Sequence, residues 1–405
     1  MRVAEARALT HRGAKKKENE DGLLQIPDVP LYAVVDGRAG REAQDFALNV
    51  LRKRTRSLYR QIQKVANSAT SSNRLAVGAF FEEVFRDIHE GLLALSDDLE
   101  VPSLASSMVA ATLIDECAYI THIGNVRAYL KRGEDLWALT NDHTVAMAQL
   151  TQGMISEQEY ATSPHRMVLT QALGHASQFE VEFSEVWLLP GDVLILCSDG
   201  LTRVVSDQAI CETLHQNDLA EATKTLLRQA LAGGAPDNVS VITLRLEEDD
   251  AVTASSTDVI QTLQNVFLFQ GLSEAERSMV TPYLEDVTVK PGTVIVKEDD
   301  TTDDLFYVVI EGKVRVSLGQ THLVDIGPGG QFGELGLVGE SRRTATVTAL
   351  TKTRLFALTR ARFHEILTAK PKLAAPLLLP LLERVKERLT DVTNRLAKLE
   401  KASQT

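Results

Sequence analysis

The sequence contains few of the features typical of secreted or nucleic-acid-binding proteins. Only three cysteines occur in 405 residues, at Cys117, Cys197 and Cys211. Their odd number and wide spacing predict neither a disulfide framework nor a zinc site. Aromatic residues make up 5% of the chain and the net charge is −12, so nucleic acid would find no basic surface and few stacking platforms. We therefore expect a cytoplasmic protein that does not bind nucleic acid.

Long hydrophobic runs are also missing. The most apolar segment, residues 373–382, is interrupted by Pro376 and Pro380 and is far shorter than the ~20 residues that span a bilayer. The charged N-terminus lacks an apolar signal core. We expect no membrane association. Because 405 residues are too many for one hydrophobic core, the length predicts two or three domains.

Three acidic residues stand at the ends of apolar runs that are typical of buried strands. Leu31–Val35 runs into Asp36, Val193–Cys197 is followed by Ser198 and Asp199, and Asp237 lies just before a third run. Carboxylates at the ends of separate strands can converge on one point, where they repel each other unless cations bind there. The alternative is that each acid merely closes a turn, for which Asp-Gly is common.

A polar loop precedes the first of these acids. Residues 11–21 carry mixed charge, with Lys16 followed by Glu20 and Asp21. Such a loop is often only a solvated turn. It also fits a functional interpretation, in which a cation faces a phosphoryl group and two acids hold metal-bound water.

Seven motifs in this half of the chain resemble, in order and spacing, those of the metal-dependent protein phosphatases of type 2C. They are Asn19-Glu20-Asp21, Ala33–Gly37, His122–Arg127, Leu139–His143, Leu169–Gly174, Leu196–Leu201 and Gly234–Asn238. The resemblance covers residues 1–246 and implies an α+β domain, a β-sandwich flanked by helices with the metal site at one edge of the sheets.

The resemblance also implies roles for individual residues. Two Mn²⁺ or Mg²⁺ ions would be bridged by Asp36, one ligated by the Gly37 carbonyl and the other held by Asp199 and Asp237, while Glu20 and Asp21 hold metal-bound waters. Hard cations held about 4 Å apart lower the pKa of a water enough to supply hydroxide near neutral pH. The implied reaction is hydrolysis of phosphoserine or phosphothreonine in a protein, with Lys16 as the cation beside the phosphoryl group.

Some positions depart from the family pattern. Lys16 stands where many members have an arginine that binds the substrate phosphate. Lysine supplies the positive charge but not the bidentate hydrogen bonds of a guanidinium. His11 replaces a frequent acid, Asn125-Val126 replaces Asp-Ser, and Ala105–Ser107 replaces Gly-Thr-Thr. Because acids in these stretches help to hold a third metal in some members, we do not expect a third metal here. An inactive pseudophosphatase is the alternative to an enzyme.

The character of the sequence changes after Leu246. Residues 247–257 are acidic and then Ser/Thr-rich, which is typical of a linker. Val259–Phe269 is expected to be helical, and Ser273–Glu276 fits a capping box that opens a second helix. Short apolar runs separated by glycine turns across Val287–Leu358 predict a small closed β-barrel of the jelly-roll kind.

One stretch of the predicted barrel resembles the phosphate-binding cassette of cyclic-nucleotide-binding domains. It comprises Phe332–Leu337 and, after a short gap, Arg343–Val347. The resemblance covers residues 258–368 and implies a cyclic nucleotide, cAMP or cGMP, bound by Gly333, Glu334, Leu335, Arg343 and Thr344. Arg343 would pair with the phosphate, Glu334 with the ribose 2′-hydroxyl, and Thr344 with phosphate or base. The alternative is a surface Glu–Arg pair in a barrel that binds nothing.

The C-terminal segment, residues 371–401, carries a heptad pattern. Apolar residues alternate at spacings of four and three, at Leu378, Leu382, Val385, Leu389, Val392, Leu396 and Leu399. The pattern predicts a coiled-coil helix that joins two subunits, or else an amphipathic helix lying on its own barrel. By resemblance, Thr390 or Thr393 would contact the nucleotide base.

The sequence therefore predicts a dimeric Mn²⁺- or Mg²⁺-dependent serine/threonine phosphoprotein phosphatase that is regulated by a cyclic nucleotide. Two alternatives remain. One is a pseudophosphatase that serves as a nucleotide receptor or scaffold, and the other is a constitutive phosphatase whose barrel only dimerises.

Overall fold

The computed structural model describes residues 2–26, 28–65, 70–101, 103–114, 116–175, 179–215, 218–247, 256–301, 304–339 and 342–403. The chain divides into two compact units, of which the first includes residues 2–65 and 72–247 and the second residues 256–403. Most of the predicted linker, residues 248–255, lies outside the described residues.

The first unit is built on two antiparallel sheets. Its strands are β1 (Arg2–His11), β2 (Asp21–Ile26), β3 (Leu31–Arg38), β4 (Ala105–Ile114), β5 (Cys117–Ile123), β6 (Arg127–Arg132), β7 (Asp135–Ala138), β8 (Glu182–Trp187), β9 (Val193–Cys197) and β10 (Val239–Glu247). One sheet has the order β1-β10-β9-β6-β7 and the other β2-β3-β4-β5-β8. Strands β9 and β10 of one sheet contact β3 of the other, so the predicted β-sandwich is confirmed.

Helices flank the sandwich. They are α1 (Arg41–Val65), α2 (Thr70–Asp98), α3 (Val145–Thr151), α4 (Glu157–Thr162), α5 (Asp199–Thr202), α6 (Asp207–Thr213) and α7 (Leu219–Ala232), with a 3₁₀ turn at Pro164–Met167. The apolar residues of α2 recur at helical spacing, and Phe81 and Phe85 pack with Val35 of β3 in one core cluster. Leu226 of α7 packs with Val241 of β10 in another cluster.

The alternation of side chains along the strands determines where the acids point. Successive residues of a strand face opposite sides of the sheet. Val35 packs on the helix side of β3, so Asp36 faces the space between the sheets. Cys197 packs on the helix side of β9, so Ser198 and the segment after it turn toward the same space. The acids therefore lie at one end of the gap between the sheets.

The second unit contains an antiparallel barrel. Its strands are β11 (Glu285–Val289), β12 (Val294–Val296), β13 (Leu305–Glu311), β14 (Val314–Leu318), β15 (Thr321–Ile326), β16 (Gln331–Phe332), β17 (Thr346–Ala349) and β18 (Thr353–Thr359). They form two four-stranded sheets of order β11-β18-β13-β16 and β12-β17-β14-β15. Val309, Val314 and Leu355 belong to the core between them.

The helices of the second unit are α8 (Ser256–Gln264), α9 (Glu274–Val280), α10 (Arg360–Ala369) and α11 (Pro371–Ser403), with 3₁₀ turns at Thr281–Tyr283 and Glu334–Leu337. The predicted capping box is present, with Ser273 and Glu276 each bonded to the other's backbone. The helix predicted over Val259–Phe269 is wrong at its C-terminal boundary, because α8 ends at Gln264. The apolar residues that follow are buried in turns, where their burial no longer reflects helical periodicity.

The C-terminal helix α11 continues through Pro376 and Pro380. One stripe of it, formed by Leu373, Leu377 and Leu381, is buried. The described leucines of the predicted heptad are instead exposed, at Leu378 (37%), Leu382 (63%) and Leu389 (69%). The side chains of Val392, Leu396 and Leu399 lie outside the described residues. These exposed leucines do not pack on the barrel, which disagrees with the interpretation of the heptad as an amphipathic helix lying on its own barrel, and the coiled coil stays a prediction.

Among the helices that the structure describes, none combines the length and the apolar character that a bilayer crossing requires.

Candidate functional site

Asp21 and Asp36 begin the site on neighbouring strands. They are direct cross-strand partners in the β2–β3 ladder, so both carboxylates emerge on the same face of the sheet. Like charges placed opposite each other destabilise a sheet, and both residues therefore need compensation from elsewhere. Part of it comes from the other sheet, because the Ser198 hydroxyl donates to Asp21 Oδ2 at 2.8 Å.

Asp199 follows Ser198 and opens the short helix α5. The Asn125 amide donates to Asp199 Oδ2 at 2.6 Å, and the Ser107 hydroxyl in turn donates to Asn125 Oδ1 at 2.9 Å. The side chain that departs from the family pattern at position 125 thus orients a predicted ligand. Gly200 allows this segment to approach β10, because a Cβ there would lie 1.8 Å from the Asn238 carbonyl oxygen.

Asp237 is held between two cations. Lys16 Nζ lies 2.8 Å from Asp237 Oδ1, and Arg203 Nη1 donates to Asp237 Oδ2 at 3.0 Å. Lys16 also contacts Glu20 Oε2 at 3.2 Å. Burial would lower the pKa of Lys16, but its hydrogen bonds and charge interactions with Asp237 and Glu20 raise it overall, so Lys16 remains protonated.

Asn238 ties the polar loop of residues 11–21 to the site. Its Oδ1 accepts from the Glu20 N–H at 2.9 Å, and its Nδ2 donates to the carbonyls of Arg12 and Glu18. Glu20 is further fixed by its contacts with β3 and the turn after it. Its carbonyl accepts from the Gly37 N–H at 3.0 Å and its Oε1 from the Gly40 N–H at 2.7 Å.

The four aspartates Asp21, Asp36, Asp199 and Asp237, which we name the acid cluster, influence one another electrostatically. Burial raises the pKa of Asp36 well above its ordinary value, and the charges of Asp199, Asp21 and Asp237 raise it further. Burial likewise raises the pKa of Asp21 to about 7 and that of Asp199 to about 6. Arg203 opposes the effect at Asp199 without cancelling it. The cluster therefore carries more negative charge than its own cations neutralise.

The donor set fits divalent cations. Asp21 Oδ1 and Asp199 Oδ1 are buried, and neither has a hydrogen-bond partner among the described residues. Carboxylate oxygens are the ligands that Mg²⁺ and Mn²⁺ prefer, and a bound cation would satisfy oxygens that are otherwise costly to bury. Among the described residues the acids do not form a group of three ligand atoms all within 4.8 Å of one another. Asp237 points instead toward Lys16 and Arg203.

The acid cluster predicts a pH-dependent response to metal. The raised pKa values mean that metal-free protein is most stable when the cluster is protonated, and that it loses this stability as the pH rises from about 4 through about 6 and 7. At low pH, Mn²⁺ has to displace the protons on the carboxyl groups of Asp21 and Asp199, whereas at high pH these groups are already ionised. We expect Mn²⁺ to raise the Tm by several degrees more near pH 7.5 than near pH 5.5, measured against EDTA by scanning calorimetry.

The same comparison on Asp199→Asn provides the control for surface carboxylates. That variant should respond weakly to Mn²⁺ at both pH values. An equal Tm increase at the two pH values in the unmodified protein would contradict a role for these protonations in metal binding.

The structure brings together every predicted residue of the metal centre, namely Lys16, Glu20, Asp21, Asp36, Gly37, Asp199 and Asp237. Sequence reasoning missed Ser198, Arg203 and Asn238. Arg203 stands four residues after Asp199, so helical spacing alone could have suggested that it lies beside the acid. Arg203 and Asp199 also line a cavity of about 180 Å³ whose other charged residues are Arg127, Asp142 and Arg166.

A second cavity, of about 270 Å³, lies in the barrel and contains all five predicted cassette residues in its lining. They are Gly333, Glu334, Leu335, Arg343 and Thr344. Glu334 and Arg343 are each 8% exposed. A carboxylate and a guanidinium buried to this extent are uncommon unless they are paired or face a ligand. A simple surface Glu–Arg pair therefore does not describe them.

The cassette geometry depends on Gly333. This residue has φ +85° and precedes the 3₁₀ turn Glu334–Leu337. A Cβ on Gly333 would lie 2.4 Å from the Leu305 carbonyl oxygen and 3.0 Å from Arg343 Nη1, so only glycine fits. Arg343 Nη2 donates to the Leu305 carbonyl at 3.0 Å, which leaves the rest of the guanidinium to face the cavity.

The C-terminal helix contributes a different residue from those predicted. Arg384 of α11 lines the barrel cavity. Thr390 and Thr393 do not line it, and their hydroxyls donate to the carbonyls of Lys386 and Leu389 within the helix. The prediction of a threonine contact to the base is therefore not supported by this arrangement, and among the described side chains of α11 it is Arg384 that lines the cavity.

Two curated relatives match the first unit. The chain is 33% identical over 158 residues to the protein phosphatase PhpP of Streptococcus pneumoniae, an alignment that covers 39% of this chain and 64% of PhpP. It is 26% identical over 238 residues to the serine/threonine phosphatase stp of Listeria monocytogenes, covering 58% of this chain and 92% of that protein. The chain thus spans slightly less than two thirds of the first relative.

Each unit of the chain is also similar to a known domain, the first to a solved phosphatase structure and the second to a family model. The catalytic domain of the serine/threonine protein phosphatase PstP, solved in complex with two manganese ions, is 26% identical and has a TM-score of 0.50. The match covers 61% of the chain described here and 99% of the PstP chain. The family model of the cyclic nucleotide-binding domain matches residues 286–370, which include the barrel cassette.

Proposed function

We propose that this chain, whose first unit is a type 2C (PPM) serine/threonine phosphatase domain and whose second unit contains a cyclic nucleotide-binding domain, is a phosphoprotein phosphatase under cyclic-nucleotide control. The observation that supports catalysis best is the acid cluster, in which two buried carboxylate oxygens have no described partner. We assign the phosphatase domain to residues 1–246, the linker to 247–257, the nucleotide-binding domain to 258–368 and the dimerisation helix to 371–401.

The residues that would hold two Mn²⁺ or Mg²⁺ ions are Asp36, the Gly37 carbonyl, Asp199 and Asp237, with Glu20 and Asp21 orienting water. When bound, such ions act as Lewis acids toward the phosphoryl group and lower the pKa of water. The chain's own residues position the acids. Ser198 connects Asp21 to the opposite sheet, and Asn125 fixes Asp199.

Lys16 and Arg203 supply positive charge beside the acids. Both contact Asp237, and both would offset the charge that develops on a transferring phosphoryl group. Arg203 also faces the cavity next to Asp199, where a phosphopeptide can approach. The substrate we propose is phosphoserine or phosphothreonine in a protein, because charged and polar side chains line the cavity next to Asp199.

The Lys16→Arg variant tests how the side chain at position 16 binds the phosphoryl group of the substrate. A guanidinium offers a bidentate fork that an ammonium lacks, so we expect kcat/KM on a phosphopeptide to rise by about threefold to tenfold. Steady-state kinetics with Mn²⁺ measures the change, and Lys15→Arg, at the neighbouring exposed position, provides the control. An unchanged kcat/KM would mean that the fork does not limit this enzyme.

The barrel cavity would receive cAMP or cGMP. Arg343 would pair with the cyclic phosphate and Glu334 with the ribose 2′-hydroxyl. The backbone at Gly333 and Leu335, together with Thr344, would add contacts. Occupancy would change activity through the linker and α11, a coupling typically worth about 1–3 kcal/mol.

A homodimer through α11 is part of the proposal. The exposed leucines at positions 378, 382 and 389 repeat at heptad spacing and present apolar surface that a second copy would bury. The three cysteines are free thiols, two of them buried, which suits a reducing cytoplasm.

The experiment that tests the function is a dephosphorylation assay on a phosphoserine peptide with Mn²⁺, with and without saturating cAMP or cGMP. The proposal expects Mn²⁺-dependent turnover that one of the two nucleotides changes at least about fivefold. No turnover together with nucleotide binding would support the pseudophosphatase receptor. Turnover that neither nucleotide changes would support the constitutive phosphatase.

A further inference from the structure

A second group of residues with metal-ligating side chains shares no member with the acid cluster. His122 is near the end of β5, Glu182 is its direct cross-strand partner in β8, and His143 lies in the loop after β7. The ligand atoms of these three residues, which we name the His–His–Glu cluster, all lie within 4.8 Å of one another. We propose that the cluster binds a borderline transition metal ion of the zinc class.

The distances suit an ion better than hydrogen bonds. Glu182 Oε2 lies 3.5 Å from His122 Nδ1 and 3.5 Å from His143 Nε2. A good hydrogen bond between nitrogen and oxygen spans about 2.7–3.2 Å. A tetrahedral ion with bonds of about 2.1 Å places its ligand atoms about 3.4 Å apart. Glu182 Oε2 is thus already at this spacing from a nitrogen of each histidine, and the ligand atoms of the two histidines lie within 4.8 Å of each other.

The buried environment of His122 is a second, independent indication that the cluster binds a ligand. The residue is fully buried, and neither ring nitrogen has a hydrogen-bond partner among the described residues. Burial lowers the pKa of His122 to about 4, and the charge of His143 lowers it further. Glu182, Asp142 and the Asn141 backbone oppose this shift without cancelling it. The ring is therefore neutral at physiological pH and carries a lone pair for a metal.

Glu182 and His143 make the cluster accessible from solvent. The Glu182 side chain is 25% exposed and that of His143 14%, so an ion and a water as fourth ligand can reach the site from solvent. The Asn141 amide lies 3.4 Å from Glu182 Oε1, on the carboxylate oxygen that does not face the histidines. Two imidazoles and one carboxylate with an open fourth position form a donor set that zinc favours.

Metal binding would cost one hydrogen bond, which His143 makes with the backbone. Its Nδ1 accepts from the Gly124 N–H at 3.2 Å, so the neutral ring carries its proton on Nε2, the atom that would ligate. Ligation moves that proton to Nδ1 and requires the turn at Gly124 to shift. The loss is one neutral hydrogen bond, which is small beside the binding of such an ion by three ligands.

Co²⁺ is the probe for the test, because tetrahedral Co²⁺ gives intense visible bands that octahedral Co²⁺ does not. The full chain would carry Asp36→Asn, which disables the acid cluster, and excess Mg²⁺ would occupy remaining oxygen sites. We expect one equivalent of Co²⁺ to give the tetrahedral spectrum and Zn²⁺ to displace it one for one. Absence of a tetrahedral spectrum would overturn the proposal.

Glu182→Gln in the same background identifies the site. The substitution lies at the partly exposed ligand, so the fold should survive, and the Co²⁺ affinity should fall at least tenfold. His143→Gln should have the same effect, whereas the exposed Glu180→Gln should leave the affinity unchanged. Co²⁺ binding that is equally tight in Glu182→Gln and Glu180→Gln would overturn the assignment to this cluster.

Discussion

Asp36→Asn should reduce Mn²⁺-dependent phosphatase activity by about a thousandfold or more. Burial raises the pKa of Asp36 well above its ordinary value, and the charges of Asp199, Asp21 and Asp237 raise it further, so its carboxylate lies close to the other acids of the cluster. An amide keeps the shape of the side chain but removes the charge and one anionic oxygen. The measurement is the initial rate on a phosphoserine peptide at saturating Mn²⁺.

Two controls separate this loss from misfolding. Asp98→Asn changes an exposed acid at the end of α2 in the same unit and should retain full activity. In addition, removing one charge from a repulsive cluster should leave the Tm of metal-free Asp36→Asn unchanged or higher near pH 7.5. A variant that is folded and still as active as the unmodified chain would exclude Asp36 from the catalytic centre.

Arg343→Ala should weaken cyclic-nucleotide binding by about a hundredfold or more, which corresponds to about 3 kcal/mol for a buried charge-assisted pair. Arg343 is almost wholly buried, lines the barrel cavity, and is held by the Leu305 carbonyl. Isothermal titration of the full chain with cAMP and with cGMP measures the change. Phosphatase activity without nucleotide should persist.

A conservative substitution tests the guanidinium group of Arg343 while a long cationic side chain still fills the position. Arg343→Lys keeps the charge but loses the bidentate fork, so its affinity should lie between those of the unmodified chain and Arg343→Ala. Arg315→Ala removes an exposed arginine of β14 that pairs with Asp325 outside the cavity, and it should bind normally. If Arg343→Ala binds nucleotide as tightly as Arg315→Ala does, the cavity is not the binding site.

Strand positions were predictable where an apolar run has clear limits. Val193–Cys197 is a strand over the predicted residues and Leu31–Val35 begins β3, because each run is buried throughout. The acids at the ends of such strands were predictable for the same reason. The helix expected to reach Phe269 ends five residues earlier, since buried apolar residues in turns have the composition of a helix but not its hydrogen bonds.

The contacts that orient the acids were not predictable from local pattern. Ser198 acts on Asp21 across the two sheets, and Arg203 reaches a carboxylate that is 34 residues away in sequence. Both contacts depend on how the sheets pack. The His–His–Glu cluster combines residues from three separate segments. Arg384 reaches the barrel cavity from a helix whose apolar pattern indicated a coiled coil or an amphipathic helix and did not identify this residue.

The central claim is that acids from distant parts of the chain bind divalent cations at one edge of the sandwich. Crystals of the full chain grown with Mn²⁺, with diffraction data collected at the manganese absorption edge, test it most directly. We predict two anomalous peaks in contact with Asp36, with Asp199 and Asp237 ligating one of the ions. Anomalous density that avoids these three carboxylates, or its absence from the edge of the sandwich at saturating Mn²⁺, would contradict the account.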